Sequence, residues 1–346
     1  MPKIETMKAA FLVQTGRAEK AFEIRDIKPP EPSDNEVQIK VETFGLNYAD
    51  VMARNGLYAA APPLPSVLGY EAVGEISKIG ENVSNFKVGD RVLAFTRFGA
   101  YAEYCVVKHD AVSLLPKEIP NDMATALATQ YCTAIYSADW MANIRKGEKV
   151  LIHAGAGGVG HGLIQYAKSK GCFIIVTAGS QEKIDYLKTL GVDLAINYQT
   201  HNFVTEIQNQ FGSTPINAIF DPIGGVNYKM NRSILAVGGR MIMFGISSFS
   251  KKKGTFIDKL LLTLQFGFLS PLEFMIKSNG VIGVNMLHVG DQNPHVITQL
   301  LKESISGYQA KTYHPKIAFH GSINEISKAH EMLENRSTIG KLCISW

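Results

Sequence analysis

Three glycines, Gly155, Gly157 and Gly160, follow the apolar run Val150-Leu-Ile-His-Ala154 with Gly-x-Gly-x-x-Gly spacing. An apolar-periodic segment comes next, through Leu163, Ile164 and Ala167, and stops at Gly171. Strand, tight turn and helix in that order are the context in which this spacing binds a dinucleotide; a bare Gly-x-Gly-x-x-Gly is as often a structural turn. The first glycine permits the turn, and the second lets the backbone approach a pyrophosphate. The third lets the helix pack closely on the strand. The helix N-terminus, with Gly158 and Val159 in its first turn, offers N–H groups to the phosphates.

The next strand selects the cofactor. Phe173-Ile-Ile-Val-Thr177 ends at Ala178-Gly179-Ser180. An NAD-preferring fold places an Asp or Glu about 20 residues past the glycines to bind the ribose hydroxyls. Here Gly179 and Ser180 stand there instead, and Lys183 follows one turn into the next helix. Without the carboxylate a 2′-phosphate is not repelled, and Lys183 can pair with it. A solvated surface position is the other reading of a lone Lys. The missing acid and the added base point to NADP(H).

Composition fits a soluble enzyme. The chain has 346 residues, 46% hydrophobic and 19% charged, enough for two domains with separate cores. A net charge of +4, with no basic stripe of interleaved aromatics, argues against nucleic acid. The N-terminus has no signal-peptide core, and Cys105, Cys132, Cys172 and Cys343 lie far apart with no Cys-x-x-Cys pair. Reduced thiols and a cytoplasmic location are expected, without a disulfide framework or structural zinc. The nine histidines show no metal-binding spacing, and His153, inside its strand, reads as a satisfied core residue.

The elements that must position these residues fall into three parts. Up to about Pro120, short β segments such as 36–41, 72–79 and 91–95 are broken by Pro and Gly, as in a barrel-like β unit. A helical segment around 123–143 follows. Strands at 149–154, 173–177, 194–197, 218–221, 240–245 and 281–284 then alternate with helices, the pattern of a doubly wound parallel sheet. The tail, 316–319 and 341–344, turns β-rich again and is expected to return to the first domain. No internal repeat or low-complexity tract is present.

With this order of parts, the chain resembles the medium-chain dehydrogenase/reductase superfamily, and within it the zinc-free quinone oxidoreductase branch. Asn47-Tyr-Ala-Asp50-Val-Met-Ala-Arg54-Asn-Gly56-Leu-Tyr58 is similar to that branch's Asn-x-x-Asp-x-x-x-Arg-x-Gly-x-Tyr signature. Pro65-Ser-Val-Leu-Gly69-Tyr70-Glu71, Gly89-Asp90-Arg91, Gly99-Ala-Tyr101-Ala-Glu103, Asn197-Tyr198 and Phe244-Gly-Ile-Ser-Ser248 follow in order. Asp221-Pro-Ile-Gly-Gly225 and Ile339-Gly340-Lys341 resemble the vesicle amine transport protein subgroup. The resemblance implies an α/β fold: a Rossmann doubly wound parallel sheet at 126–317, plus a GroES-like β-barrel domain from 1–125 and 318–346. A homodimer is implied too.

Metal-dependent relatives hold a catalytic zinc with a Cys and a His-Glu pair. Here Asn47 stands at the Cys position and Tyr70 at the His position beside Glu71. Neither is a good zinc ligand, so no metal is expected, and Glu71 reads as pairing with Arg91 or another base. Without a Lewis acid a simple ketone is a hard hydride acceptor. A quinone or α,β-unsaturated carbonyl spreads its charge onto a distant oxygen, which needs only hydrogen-bond donors and a proton. The expected activity is therefore NADPH-dependent reduction of such acceptors, with substrate between the domains. Tyr58 is the candidate proton donor and Asn47 the candidate holder of the nicotinamide or carbonyl; plain packing explains Tyr58 equally well.

The resemblance also puts Tyr198 over the adenosine phosphate and Thr129, at the start of a helix, toward the nicotinamide. It places Phe244 and Ser247 at a strand's carboxyl end, and Lys341 at the cofactor from the tail. Sheet-edge packing, helix capping and solvent are the bland alternatives, and Asp50 and Arg54 read as a structural ion pair. One segment suggests another class of function. Lys251-Lys252-Lys253 precedes the apolar stretch 256–276, a pattern that can attach to an anionic membrane surface but is too interrupted to span one. Packing over the nucleotide domain is the simpler reading. The alternative function is an NADPH-binding interaction or membrane-associated protein with little turnover.

Overall fold

The computed structural model describes residues 6–249, 263–267 and 270–346. Two compact units emerge. One runs through Cys132 and takes up Met286–Lys311 and Pro315–Trp346; the other is Thr133–Asn285 with Thr312–His314.

The first unit opens with β1 (Met7–Leu12), β2 (Phe22–Ile27), β3 (Glu36–Leu46), β4 (Ser66–Val67), β5 (Glu71–Ile79), β6 (Arg91–Phe95), β7 (Tyr104–Lys108) and β8 (Val112–Leu114). β2, β1 and β4 form a small antiparallel sheet. β3 is the long central strand of the larger one and pairs with both β5 and β7, with register shifts on the β5 side that let it bend. Alternating apolar residues of these strands, among them Val37, Ile39, Val41, Ile76, Val92 and Ala94, build the core.

The second unit carries β9 (Lys149–Ile152), β10 (Phe173–Ala178), β11 (Leu194–Asn197), β12 (Ile216–Asp221), β13 (Leu235–Met243) and β14 (Gly280–Gly283). All pairings are parallel, in the order β11-β10-β9-β12-β13-β14. That is the doubly wound Rossmann arrangement, whose strand order reverses between β9 and β12. Being covered on both faces, these strands read as continuous apolar runs: Val150, Leu151 and Ile152 are fully buried, as are Ala218, Ile219 and Phe220. The chain then returns to the first unit with β15 (Ile317–Ser322) and β16 (Lys341–Ser345), which complete the seven-stranded sheet in the order β15-β16-β3-β5-β6-β8, with β7 on β3.

The division of the chain differs from the sequence boundaries: the first unit runs on to Cys132, resumes at Pro315 and also takes up Met286–Lys311. Helices Met286–Gln292 and Pro294–Gln309 pack with the first unit rather than with the nucleotide sheet. The longer helix buries Val296, Ile297, Leu300, Leu301 and Ile305, its Thr298 hydroxyl bonds the Asp110 carbonyl, and Asp291 pairs with Arg97 at 2.7 Å.

The basic run Lys251–Lys253 and most of the apolar stretch after it lie outside the described residues. Of the described part, Phe266 packs edge-on against Tyr228 and Glu273 pairs with Arg232 at 2.7 Å. Leu264, Leu272, Met275 and Ile276 are exposed, so simple packing accounts for only part of the stretch. No described helix is long and apolar enough to cross a membrane.

Arg240, on β13, clamps the start of the nucleotide unit. Its guanidinium donates to the Ala142, Asn143 and Asn217 carbonyls and to both oxygens of Glu148. The guanidinium also holds the Glu148 carboxyl below its usual range against a burial penalty. Arg240→Ala should cost the unit roughly 2–4 kcal/mol by leaving those acceptors unpaired, read from urea unfolding. Stability within about 0.5 kcal/mol of wild type would contradict the clamp.

Candidate functional site

The glycine loop leaves β9 where the sheet order reverses, the place at which ligands bind in such folds. Ala154 turns the chain with φ +53°, and Gly157 caps helix Gly158–Ser169 with extended backbone and no side-chain cap. The first N–H groups of that helix, those of Gly158, Val159 and Gly160, are thus left for a ligand. Gly160 is required by close packing, since a Cβ there would fall 2.6 Å from the Ala154 carbonyl oxygen.

At the end of β10, Ser180 caps helix Gln181–Thr189 by accepting the Lys183 N–H at 3.3 Å. Tyr198 follows the neighbouring β11 and lies over Gly179: a Cβ at residue 179 would meet its hydroxyl at 2.5 Å. The structure therefore brings Gly179, Ser180, Lys183 and Tyr198 together. The first carboxylate after the strand, Glu182, is exposed in the helix's first turn.

A buried polar chain that the sequence did not reveal ties the ends of β9, β10 and β12 together. Thr177 Oγ1 and His153 Nδ1 are 2.9 Å apart, and His153 Nε2 meets Asn231 Oδ1 at 2.7 Å. Asn231 Nδ2 donates to Asp221 at 3.0 Å, and Asp221 accepts the Ile223 and Gly224 N–H groups. Burial holds the His153 imidazole neutral, lowering its pKa. The loop after β12 in turn accepts N–H groups from Ser247 and Ser248, while Phe244 N–H bonds the Asp221 carbonyl. Phe244 and Ser247 thus follow the carboxyl end of β13, beside that of β12.

In the first unit, sheet register gathers a second set. β3 lies between β16 and β5, with Leu46 opposite Leu342 and Phe44 opposite Ala72. The residues at these strand ends, Asn47, Glu71 and Lys341, consequently meet. Lys341 Nζ donates to Glu71 Oε1, to Asn47 Oδ1 at 3.1 Å and to the Leu46 carbonyl at 3.1 Å. Asn47 Nδ2 donates to both Glu71 oxygens at 2.9 Å. Because an ammonium only donates, the Asn47 amide is oriented with oxygen toward Lys341 and nitrogen toward Glu71. Lys341 is 1% exposed and Glu71 fully buried, so the lysine expected at the cofactor has its Nζ inside this cluster. The pair lies across Gly45, where a Cβ would fall 2.1 Å from Glu71 Oε1.

Of the two expected pairings, one takes its open alternative and one is replaced. Glu71 pairs with another base, Lys341, while Arg91 donates to the Pro116 and Ile119 carbonyls and to Asn121. Arg54 pairs with Glu334 at 2.5 Å rather than with Asp50. Asp50 instead caps helix Tyr48–Arg54, its Oδ2 accepting the Asn47 N–H at 2.8 Å. Burial pushes the Asp50 carboxyl up to about 8 despite that hydrogen bond, and Glu71 adds to the shift. Tyr58 is half-buried, edge-on to Tyr70 with ring centroids 6.3 Å apart; burial raises both phenols. Thr129 does not open a helix. It sits within the run begun at Asn121, its hydroxyl 3.5 Å from the Tyr70 carbonyl.

The Zinc-binding dehydrogenase family matches residues 158–299, and the Alcohol dehydrogenase GroES-like domain family matches residues 33–117. The chain belongs to the medium-chain dehydrogenase/reductase superfamily. Its relatives are those of the quinone oxidoreductase branch. The human quinone oxidoreductase is 29% identical over 340 residues, 98% of this chain and 97% of that one. The rat synaptic vesicle membrane protein VAT-1 homolog is 28% identical over 322 residues, covering 92% and 79%. The solved Escherichia coli quinone oxidoreductase, complexed with NADPH, superposes with a TM-score of 0.85 at 27% identity, covering 98% and 100%.

The superfamily's zinc does not fit the donors found at this position. Asn47 and Tyr70 are poor ligands, and Glu71 is already engaged by an ammonium. Among the described residues no group of three or more His, Cys, Asp or Glu side chains could hold a metal ion.

Two outcomes test this cluster. Gly45→Ala should evict the ion pair and cost roughly 3–5 kcal/mol in urea unfolding; a loss below about 1 kcal/mol would contradict its placement. Asp50 binds a proton in the folded chain that the unfolded chain releases, so between about pH 4 and about pH 8 it lowers stability as pH rises. Relative to wild type, Asp50→Asn should therefore gain thermal stability from about pH 5 to about pH 8. A difference in Tm that is constant with pH would contradict the protonated carboxyl.

Proposed function

We propose that this protein is a zinc-independent, NADPH-dependent reductase of quinones or α,β-unsaturated carbonyls. The observation that carries the choice of acceptor is the Lys341–Glu71–Asn47 cluster, where a buried ammonium bonds Asn47, which stands in place of a metal-holding Cys of zinc-dependent relatives, and Glu71. With no Lewis acid to stabilise an alkoxide, an acceptor that disperses its own charge is favoured.

NADPH fits the second unit. The open helix N-terminus at Gly157–Gly160 suits the pyrophosphate, and Ser180 and Lys183 suit a 2′-phosphate with no carboxylate at residues 179 and 180. Tyr198 would cover the adenosine end, and Phe244 and Ser247 would border the cofactor. Two of the solved relatives, from Escherichia coli and a mycobacterium, are complexed with NADPH. The bound cofactor supplies the hydride.

The acceptor's oxygen then needs a donor and a proton. Tyr58 is the proposed donor, its ring held by Tyr70. Asn47 is the second proposed group; to bind the nicotinamide or the carbonyl, its amide nitrogen would exchange one Glu71 contact for the ligand. The exposed Leu272, Met275 and Ile276 and the vesicle-protein relatives favour one other reading, a cofactor-binding protein that associates with a membrane and turns over little.

Titration with NADPH and NADH, followed by reduced-cofactor fluorescence, separates these readings once a quinone and enone panel is added. NADPH should bind more tightly than NADH, and Lys183→Ala should weaken NADPH by roughly 10–100-fold while sparing NADH. Oxidation by an acceptor is expected. Binding without turnover, together with liposome association, would favour the second reading, and no binding would overturn both.

A further inference from the structure

Residue 179 is the first after β10, the place from which a carboxylate reaches the ribose hydroxyls in NAD-preferring folds of this kind. Gly179 stands there, although its φ lies outside the left-handed region and its backbone would accept any L residue. Space is what the position lacks. A Cβ on residue 179 would fall 2.5 Å from the Tyr198 hydroxyl oxygen, 2.8 Å from its Cζ and 3.4 Å from its Cε1. The tyrosine ring therefore occupies the volume into which a side chain would grow. The neighbouring Ser180 has its hydroxyl committed to the helix cap.

Neither backbone can retreat to relieve that contact. Ala178 pairs with Asn197 in the parallel ladder, and the Tyr198 N–H bonds the Ala178 carbonyl at 3.1 Å. The Thr177 carbonyl accepts the Gly155 N–H at 3.1 Å, which ties this strand end to the glycine loop. Beyond Tyr198, Asn197 closes the turn: its carbonyl accepts the Thr200 and His201 N–H groups, and its side chain the Gln199 N–H. Rotation of the Tyr198 side chain is the remaining way out, and it would carry the ring off Gly179. A carboxylate at residue 179 and the tyrosine ring are thus alternatives for one place.

We propose that Tyr198 is a specificity-determining residue, which keeps a ribose-binding carboxylate out of position 179 by filling its place. The proposal rests on the NADPH reading above and extends it. Lys183 accounts for attraction to a 2′-phosphate. The contact of Tyr198 with Gly179 accounts for the missing acid, which would repel that phosphate and bind the ribose hydroxyls of NADH. Selection thus acts twice, once by charge and once by shape. Substituting residue 179 alone does not make an NADH site, because the new carboxylate meets the ring before it meets the ribose.

The test measures NADPH and NADH binding to the full chain by reduced-cofactor fluorescence, with no acceptor present. Wild type, Gly179→Asp, Tyr198→Ala and the double variant are compared. In the wild-type background Gly179→Asp should weaken NADPH roughly 10–100-fold and leave NADH within about threefold. In the Tyr198→Ala background the same substitution should tighten NADH about tenfold, through charge-assisted hydrogen bonds to the ribose. An equal change in NADH affinity in both backgrounds overturns the exclusion. The exclusion seen in a chain that reduces no acceptor upholds this proposal while overturning the reductase reading. A wild type that binds neither cofactor overturns both. Thermal unfolding without cofactor tests the contact itself. Gly179→Ala should lower Tm by about 2 °C in the wild-type chain and raise it by about as much in the Tyr198→Ala background, where only the unfolded-state effect of replacing glycine remains. The same shift in both backgrounds overturns the proposal, and this pair decides if the Gly179→Asp variants do not fold.

Discussion

A buried ammonium is tolerated in a protein only when its donors are met and its charge is balanced, and Lys341 meets both conditions with Glu71, Asn47 and the Leu46 carbonyl. Much of the first unit follows from that requirement. β16 must pair with β3 in one register to deliver Lys341, and β5 must do so from the other side to deliver Glu71. Gly45 must lack a side chain because the pair crosses its α-carbon. Asn47 has its amide oriented by the charges at both ends. The second carboxyl, Asp50, is left to a backbone cap and to protonation.

The nucleotide unit solves a comparable problem without a cation. Its Thr177–His153–Asn231–Asp221 chain links β10, the end of β9, helix Val226–Ser233 and β12 through hydrogen bonds that end on the N–H groups of the following loop. The carboxylate is satisfied locally and the imidazole need not ionise. Loops at the carboxyl ends of the sheet are thereby held by buried polar contacts, while the helix N-terminus beside them stays open. Rigid support under exposed donors is what binding an anionic cofactor requires.

Most of the fold was legible because its signals are local. Arg91–Phe95 and Leu194–Asn197 lie where their β-branched and apolar runs place them, the other expected strands shift at their ends, and β1, β2, β4, β7 and β8 were not singled out. The glycine loop was legible because three glycines at fixed spacing have one geometric meaning between a strand and a helix. The ion pairs were not, because they join distant residues: Lys341 is 270 positions from Glu71, and Glu334 is 280 from Arg54. Asp50 and Arg54, four apart on a helix, suggested each other locally, and tertiary packing gave each a different partner. A glycine at position 45 inside a strand was the one hint that something approaches the backbone there.

The central claim, hydride transfer to a conjugated acceptor without a metal, is tested most directly by isotope transfer. The chelator-treated protein would be mixed with NADPH deuterated at the transferring carbon of the nicotinamide and with an α,β-unsaturated ketone, and the product read by mass spectrometry and NMR. The account predicts a saturated ketone carrying the deuterium at its β-carbon, formed as fast with chelator as without. Cofactor bound but unoxidised, deuterium at the carbonyl carbon of an alcohol, or activity that returns only with added zinc would contradict it.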